Sequence, residues 1–258
     1  MKFLFELILR SYLQDHRCRR VCEIGAGEGA VTDALLRIPA LKEIVVMDPC
    51  LVHDLEKKYA GNSRVELRRG TSLEMLAALG AKDAFDAIMV DGDHNWYTVY
   101  HELSLIRERG LLADSGALFF HDTSWPYGRR DRYYAPAAVP EAFRHPFERQ
   151  GVVRGRSALS PEGMNPRAFH AVHEGGPRNG VMTAIEDYQK EAGHPFWQAS
   201  FNPQFGLCAL VPKKGVGNFC RLWEIRARFM KAGIFGRETS PPKADPAPEK
   251  NLEECRTF

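Results

Sequence analysis

The chain has 258 residues, 44% of them hydrophobic and 26% charged, with a formal net charge of +2. That balance describes a soluble globular domain with room for one sizeable insertion; two full domains would be tight. A charge so near neutrality argues against nucleic acid and against an anionic membrane surface as partners.

The opening stretch "MKFLFELILRSYL" carries apolar residues at 3, 4, 5, 7, 8, 9, 12 and 13. Glu6 and Arg10 interrupt it, no small-residue cleavage site follows, and the run is too short to span a bilayer. An amphipathic helix within residues 1–19, covering a sheet edge or a partner subunit, is the expectation. The six cysteines (Cys18, Cys22, Cys50, Cys208, Cys220, Cys255) have no paired metal spacing. Reduced thiols in a cytoplasmic protein follow from that pattern.

From Arg20 the chain alternates strand-like and helix-like segments. "RVCEIG" precedes "AVTDALLRI", and "EIVVMDP" precedes a helix-like stretch from Leu51 to Tyr59. "RVELRRG" leads into "SLEMLAAL", "FDAIMVDG" into "WYTVYHELSLIRERGLL", and "GALFFHD" comes last. Five β–α repeats predict a parallel sheet with helices on both faces. The rhythm breaks over residues 124–177, rich in Pro, Gly, Arg and aromatics and weak in either periodicity. A helix is expected over Val181–Ala192. "WQASF" and "FGLCALV", separated by "NPQ", then read as an antiparallel hairpin. A further amphipathic helix covers roughly 217–232, and from Gly236 the polar, Pro-rich tail 236–258 reads as disordered.

Three features mark a site. "EIGAGEGAV" sets Gly25, Gly27 and Gly29 at the end of the first strand, where missing side chains allow a ligand close to the backbone. With Ala30 it also fits the dinucleotide pattern G-x-G-x-x-A. Asp48 closes the second strand, where a carboxylate can accept ribose hydroxyls of either NAD or S-adenosylmethionine. Glu23 suits a ligand carrying an ammonium and sits badly beside a pyrophosphate, and the terminal hairpin departs from an all-parallel dinucleotide fold. A nicotinamide-dependent oxidoreductase would share the glycine loop and Asp48 but leave "VDGDH" unexplained. A non-catalytic subunit of the same fold is the other alternative. At 91–94, Asp91, Asp93 and His94 crowd a strand end; Asp93 reads as the cap of the helix starting near Asn95, with Asn95 the alternative cap.

"EIGAGEG", Asp48, "RRGTS", "VDGDH" and "FFHD" occur in order, each at a strand's carboxyl end. Together they resemble the class I S-adenosylmethionine-dependent methyltransferases. Their spacing is most similar to the metal-dependent O-methyltransferases of the catechol and caffeoyl-CoA type and to bacterial relatives that methylate sugars and antibiotics. The resemblance implies a Rossmann-like, doubly wound, mostly parallel seven-stranded α/β sheet over residues 20–235, with a long insertion after the fifth strand. It implies S-adenosylmethionine held by Glu23, Gly25, Gly27, Asp48, Ser72 and Asp91. It also implies a divalent cation, Mg²⁺ or Mn²⁺, on Asp91, His121 and Asp122, with His94 as base and Asp91 beside it in the catalytic group. The chain departs from these relatives by carrying histidine at 94 and 121, where they carry an acid or amide, so a bare-base mechanism on His94 or His121 stands beside the metal-assisted one. The acceptor implied is a small hydroxylated metabolite such as a sugar or a glycosylated natural product.

The insertion 124–177 has arginines but no lysine, interleaved with Trp125, Tyr127, Tyr133, Tyr134, Phe143 and Phe147. Arg with aromatics suits stacking and paired hydrogen bonds to oxygens, which suggests a lid over the acceptor; homo-oligomer contact is the alternative. Trp125, Arg129, His173 and Arg178 are the candidate acceptor contacts. His170 is grouped with the last two in "HAVHEGGPRNGV" at a helix N-terminus, unless these are solvated loop histidines.

Overall fold

Each apolar run that ends in a glycine or aspartate becomes a parallel strand in the computed structural model, which describes residues 1–51 and 54–235. These are β1 (Arg20–Ile24), β2 (Glu43–Met47), β3 (Val65–Arg68), β4 (Phe85–Val90) and β5 (Leu112–His121). The insertion supplies β6 (Arg132–Tyr133), β7 (Phe147–Arg149) and β8 (Phe169–Ala171), a separate antiparallel sheet in the order β6-β8-β7. The hairpin β9 (Phe196–Phe201) and β10 (Leu207–Pro212) completes the main sheet in the order β3-β2-β1-β4-β5-β10-β9, with β10 antiparallel to β5.

Both faces of the sheet are buried, and side chains alternate between them with the two-residue period of a strand. Val21, Ile44, Ala87, Met89 and Phe119 face one core; Cys22, Val45, Ile88, Leu118 and Phe120 face the other. The first core is covered by α1 (Lys2–Leu4), a π-helical turn at Phe5–Leu9, α2 (Arg10–Asp15) and α3 (Ala30–Leu36). After α4 (Leu55–Tyr59) and α5 (Ser72–Ala77), the helices α6 (Trp96–Glu108) and α7 (Val181–Glu191) cover the second. The closing α8 (Gly215–Phe235) returns to the first face. The N-terminal helix therefore lies on the face of the sheet, not its edge: Leu4, Phe5, Ile8, Leu9, Tyr12 and Leu13 are buried, and the Tyr12 ring meets Phe119 of β5 at 5.3 Å. Among the described residues no helix is long and apolar enough to cross a membrane. Cys18, Cys22, Cys208 and Cys220 are free thiols. The expected tail 236–258 lies outside the described residues.

The chain runs outward from β1 to β3 and then returns to lay β4 beside β1, so the carboxyl ends of β1 and β4 flank the crevice where strand order reverses. The two loops leaving these strands touch. A Cβ at Gly25 would lie 2.3 Å from the Asp91 carbonyl oxygen, and Gly25 has φ +89°, so only glycine fits.

Residues 124–177 were weak in periodicity, yet they form a folded subdomain with a polar core. Asp131, fully buried, accepts from the amides of Trp96 and Gly180, both at 2.7 Å, and from the Tyr133 hydroxyl at 2.9 Å. Its own amide donates to Asn179 Oδ1 at 2.7 Å. One carboxylate thus ties the insertion to the first residue of α6 and to the residue preceding α7. The buried Arg130 guanidinium donates to the carbonyls of Ala171, Val172 and Ser157, and His170 is buried between Gln150 O and the Tyr127 hydroxyl. Hydrogen bonds from buried polar side chains to groups distant in sequence leave no sequence period to read, which is why the stretch looked irregular.

Asp131→Ala should strand two buried amides and a buried hydroxyl, costing about 2–4 kcal/mol. Amide exchange should accelerate across 124–177 while β1 and β4 stay protected. Unchanged exchange in the insertion would show that Asp131 does not hold it.

Candidate active site

Four ionisable side chains converge at the carboxyl ends of β4 and β5. The two strands pair in parallel, Val90 beside Phe120, so Asp91 and His121 follow at the same level. His94 enters from the loop before α6. Its Nε2 lies 2.7 Å from Asp122 Oδ2, while His121 Nδ1 lies 3.0 Å from Asp91 Oδ1 and 2.9 Å from Asp122 Oδ2. Asp122 sits at φ +57°, a conformation uncommon for any residue but glycine, and this turns its carboxylate between the two rings. The N-terminal ammonium of Met1 is 3.3 Å from Asp91 Oδ2.

Burial alone would discharge all four groups, but their mutual attraction is larger. Burial lowers the affinity of His94 for a proton; the Asp122 carboxylate, and then Asp91, more than reverse this and push His94 up to about 9. His121 likewise rises against its burial to about 9, under Asp91 and Asp122. Against the same burial, His121 and His94 hold Asp122 well below the ordinary carboxylate range, and His121 and the Met1 ammonium do so for Asp91.

One donor atom from each of Asp91, His121 and Asp122 lies within 4.8 Å of the others. Neighbouring ligands of an octahedral cation with bonds of about 2.1 Å stand about 3 Å apart, and His121 Nδ1 lies 3.0 Å from Asp91 Oδ1 and 2.9 Å from Asp122 Oδ2, so the set suits a divalent ion of the Mg²⁺ or Mn²⁺ size. His121 would have to release its Nδ1 proton to serve as a ligand. His94, bonded to Asp122, stands where an outer partner orients a ligating carboxylate. Its other nitrogen, Nδ1, is buried without a hydrogen-bond partner among the described residues.

Asn95, and not Asp93, caps α6: its side chain accepts from Thr98 N at 2.9 Å. Asp93 instead accepts from the Thr98 hydroxyl and the His94 amide and so fixes the loop that carries His94.

On the glycine-loop side, Gly27 has open space where a Cβ would stand, as an approaching ligand requires. Asp48 is fully engaged by main chain: Oδ2 accepts from Ala26 and Gly27, Oδ1 from Cys50 and Leu51. It clamps the glycine loop to the loop after β2, and a ribose would compete for those four bonds. Glu23 is buried behind the loop and accepts from the Thr32 hydroxyl at 2.6 Å. Burial first, then Asp91 and Asp48, push it up to about 8, so its carboxyl is largely neutral at pH 7. Ser72 opens α5, half-buried beside Glu102, whose own carboxyl is raised to about 8 by burial.

The four expected acceptor contacts divide. Trp125 and Arg129 line one cavity of about 280 Å³ with Thr123, Ser124, Ser200 and Asn202, directly beyond Asp122. Arg129 is committed to a two-pronged pair with Glu186 at 2.6 and 2.8 Å. Arg178 stacks outward on Trp96 and Phe143, and His173 is exposed, so neither joins that cavity.

Three residues that the expected set omitted surround His94: Tyr127 and Tyr134, with ring centroids 5.2 and 5.9 Å away, and Arg132, paired to His94 through the main chain. A signal for them exists in "RDRYY". In a strand, Asp131 and Tyr133 point one way into the insertion's core, so Arg132 and Tyr134 point the other.

Raised carboxyls make a pH-dependent contribution of definite sign. Glu23 binds its proton more tightly folded than unfolded, so its contribution is fully present below about pH 4.5 and is lost as pH rises through about 8. Glu23→Gln keeps an acceptor for Thr32 without the charge. Its stability relative to wild type should be unchanged at pH 4 and higher by about 2–4 kcal/mol at pH 9. Parallel denaturation curves at the two pH values would contradict the buried-acid assignment.

Residues 22–123 match the family model of a methyltransferase domain. Among solved structures, the SAH-bound methyltransferase PaMTH1 of Podospora anserina superposes with a TM-score of 0.50 at 19% identity, over 81% of this chain and 77% of that one. A Staphylococcus aureus protein assigned as a caffeoyl-CoA O-methyltransferase gives 0.50 at 12% identity, over 81% and 83%. Ribosomal RNA small subunit methyltransferase A of Pseudomonas fluorescens is 32% identical over 98 residues, 37% of this chain and 35% of that protein. The chain thus spans about a third of the length of that curated relative. Residues 22–123 thus match a methyltransferase domain, and the chain shares the fold of the SAH-bound and caffeoyl-CoA-type methyltransferase structures.

Proposed function

We propose that this chain transfers a methyl group to a hydroxyl of a small metabolite, of the sugar or glycosylated natural-product kind, with a divalent cation at Asp91, His121 and Asp122. The observation that carries this reading is the convergence of those three donors with His94 at the carboxyl ends of β4 and β5, across the crevice from the glycine loop. S-adenosylmethionine supplies an electrophilic methyl. A cation at the three donors would supply Lewis acidity toward the acceptor hydroxyl.

The chain's own residues account for the rest. Gly27 leaves the backbone open to the cofactor, Gly25 lets its loop pack on the Asp91 loop, and Asp48 holds the glycine loop and would exchange main-chain bonds for ribose hydroxyls. Asp122 accepts from His94 Nε2, which leaves Nδ1 of the neutral ring as the lone pair that can take a hydroxyl proton. The Tyr127 and Tyr134 rings beside His94 exclude water on the insertion side. Nucleic acid is disfavoured as substrate by the near-neutral charge. The similarity to the ribosomal RNA enzyme covers only about a third of either protein.

Calorimetry with S-adenosylhomocysteine and with NAD tests the cofactor: only the first should bind, and Asp48→Ala should weaken it by about 1–3 kcal/mol. Binding of NAD alone would move the reading to an oxidoreductase.

Exhaustive chelation should abolish methyl transfer while sparing S-adenosylhomocysteine affinity, and Mg²⁺ or Mn²⁺ should restore it. Asp122→Ala should resist that rescue and cost more than His94→Ala. Full activity after chelation, with metal analysis blank, would leave His94 as sole base. The rate should then climb with pH to about 9, because only the neutral ring accepts a proton.

A further inference from the structure

One cation in the site makes no ion pair among the described residues, although the Asp122 and Asp93 carboxylates act on it from beyond contact. Arg132 is paired with His94 as an isolated antiparallel bridge, Arg132 N donating to His94 O at 3.1 Å. Residues directly opposite in such a pair carry their Cβ atoms on the same side, about 4.5–5.5 Å apart. The Arg132 side chain therefore rises beside the His94 ring. Its guanidinium carbon lies 4.4 Å from the Tyr134 ring centroid and 5.5 Å from that of Tyr127, with the Tyr127 hydroxyl alongside. Nε is buried without a partner among the described residues.

Every carboxylate near enough to neutralise it is committed elsewhere. Asp122 holds both imidazoles, Asp91 holds His121 and the Met1 ammonium, Asp93 holds Thr98 and the His94 amide, and Asp131 holds three donors of its own. Among the described residues no ion pair to Arg132 forms. A guanidinium kept half-buried between two aromatic faces is oriented and short of water, and its fork matches a carboxylate. Stacking on the rings offsets part of its desolvation but supplies no negative charge.

We propose that the methyl acceptor carries a carboxylate beside the hydroxyl that receives the methyl, and that Arg132, held between Tyr127 and Tyr134, binds that carboxylate. The acceptor class is thereby a hydroxylated organic acid, a sugar acid or an aromatic hydroxy acid, in place of a neutral sugar or phenol. This rests on the methyl-transfer reading of the site and adds the group that selects the substrate.

The test compares matched acids and neutral analogues on protein saturated with S-adenosylhomocysteine. Calorimetry would use glucuronate against methyl glucoside, and 3,4-dihydroxybenzoate against 3,4-dihydroxybenzamide. In at least one pair the acid should bind about tenfold or more tightly than its neutral partner. Arg132→Gln should reduce that preference to about threefold or less, with S-adenosylhomocysteine affinity and the circular dichroism spectrum unchanged, and Arg132→Lys should retain part of it. If Arg132→Gln fails to fold, Arg132→Lys and the wild-type preference decide. Equal affinity within both pairs, no binding by either acid, or a preference that survives Arg132→Gln would overturn the assignment while the methyl-transfer reading stands. Failure of S-adenosylhomocysteine itself to bind would remove the methyl-transfer reading and the Arg132 assignment together.

Discussion

A single buried carboxylate decides what the candidate site looks like. Asp131 gathers the first amide of α6, the amide before α7 and the Tyr133 hydroxyl, all within 2.9 Å. Because α6 follows the His94 loop and α7 follows the insertion, that one side chain sets the insertion against the strand ends. Arg132 then pairs with His94 as the next residue along. Burying a carboxylate is costly unless donors surround it; here three do, and burial still raises Asp131 to about 6. The insertion is thereby a positioned wall of the site, and any closing motion would involve the subdomain as a unit.

The charges at the site balance through proximity. Asp91, Asp122, His94 and His121 alternate in sign, each within 3.0 Å of an opposite neighbour, and the pairs keep one another ionised in a place where burial would neutralise any of them alone. The same arrangement suits two chemistries. A cation can replace the His121 proton between the carboxylates, and Asp122 can hold His94 by one nitrogen so that the other is free. Arg132 feels the Asp122 and Asp93 carboxylates but pairs with neither among the described residues, and on that ground it is proposed to meet a charge brought by the substrate.

On the cofactor side the side chains that would meet a ligand are occupied by the protein itself. Asp48 braces the glycine loop with four main-chain bonds, and Glu23 is turned to Thr32. Ligand binding on such a clamp exchanges hydrogen bonds within a loop that the protein already holds. It does not order a mobile one, so less conformational entropy is lost.

The sequence by itself determined the parallel strands, the helices between them and the terminal hairpin; the doubly wound order and the residues of the ionic cluster came through the resemblance its motifs carry. Apolar runs, helix periods and glycines are local signals that fix the strand ends, and the resemblance then picked out Asp91, His121 and Asp122 among the residues standing there. Local signals also marked the hairpin, because "NPQ" can only turn. Four things were decided by tertiary structure. The N-terminal helix covers a sheet face, since its apolar stripe cannot say which surface it meets. Asn95 took the cap because Asp93 found Thr98. The insertion folded around Asp131 and Arg130 through bonds between residues up to 49 apart, which leave no period. The wall beside His94 fell to Tyr127, Arg132 and Tyr134, while Arg129 was claimed by Glu186 and Arg178 by Trp96 and Phe143. An arginine's composition is visible in a sequence; whether its charge is already spent on a neighbour depends on distances that only the folded chain sets.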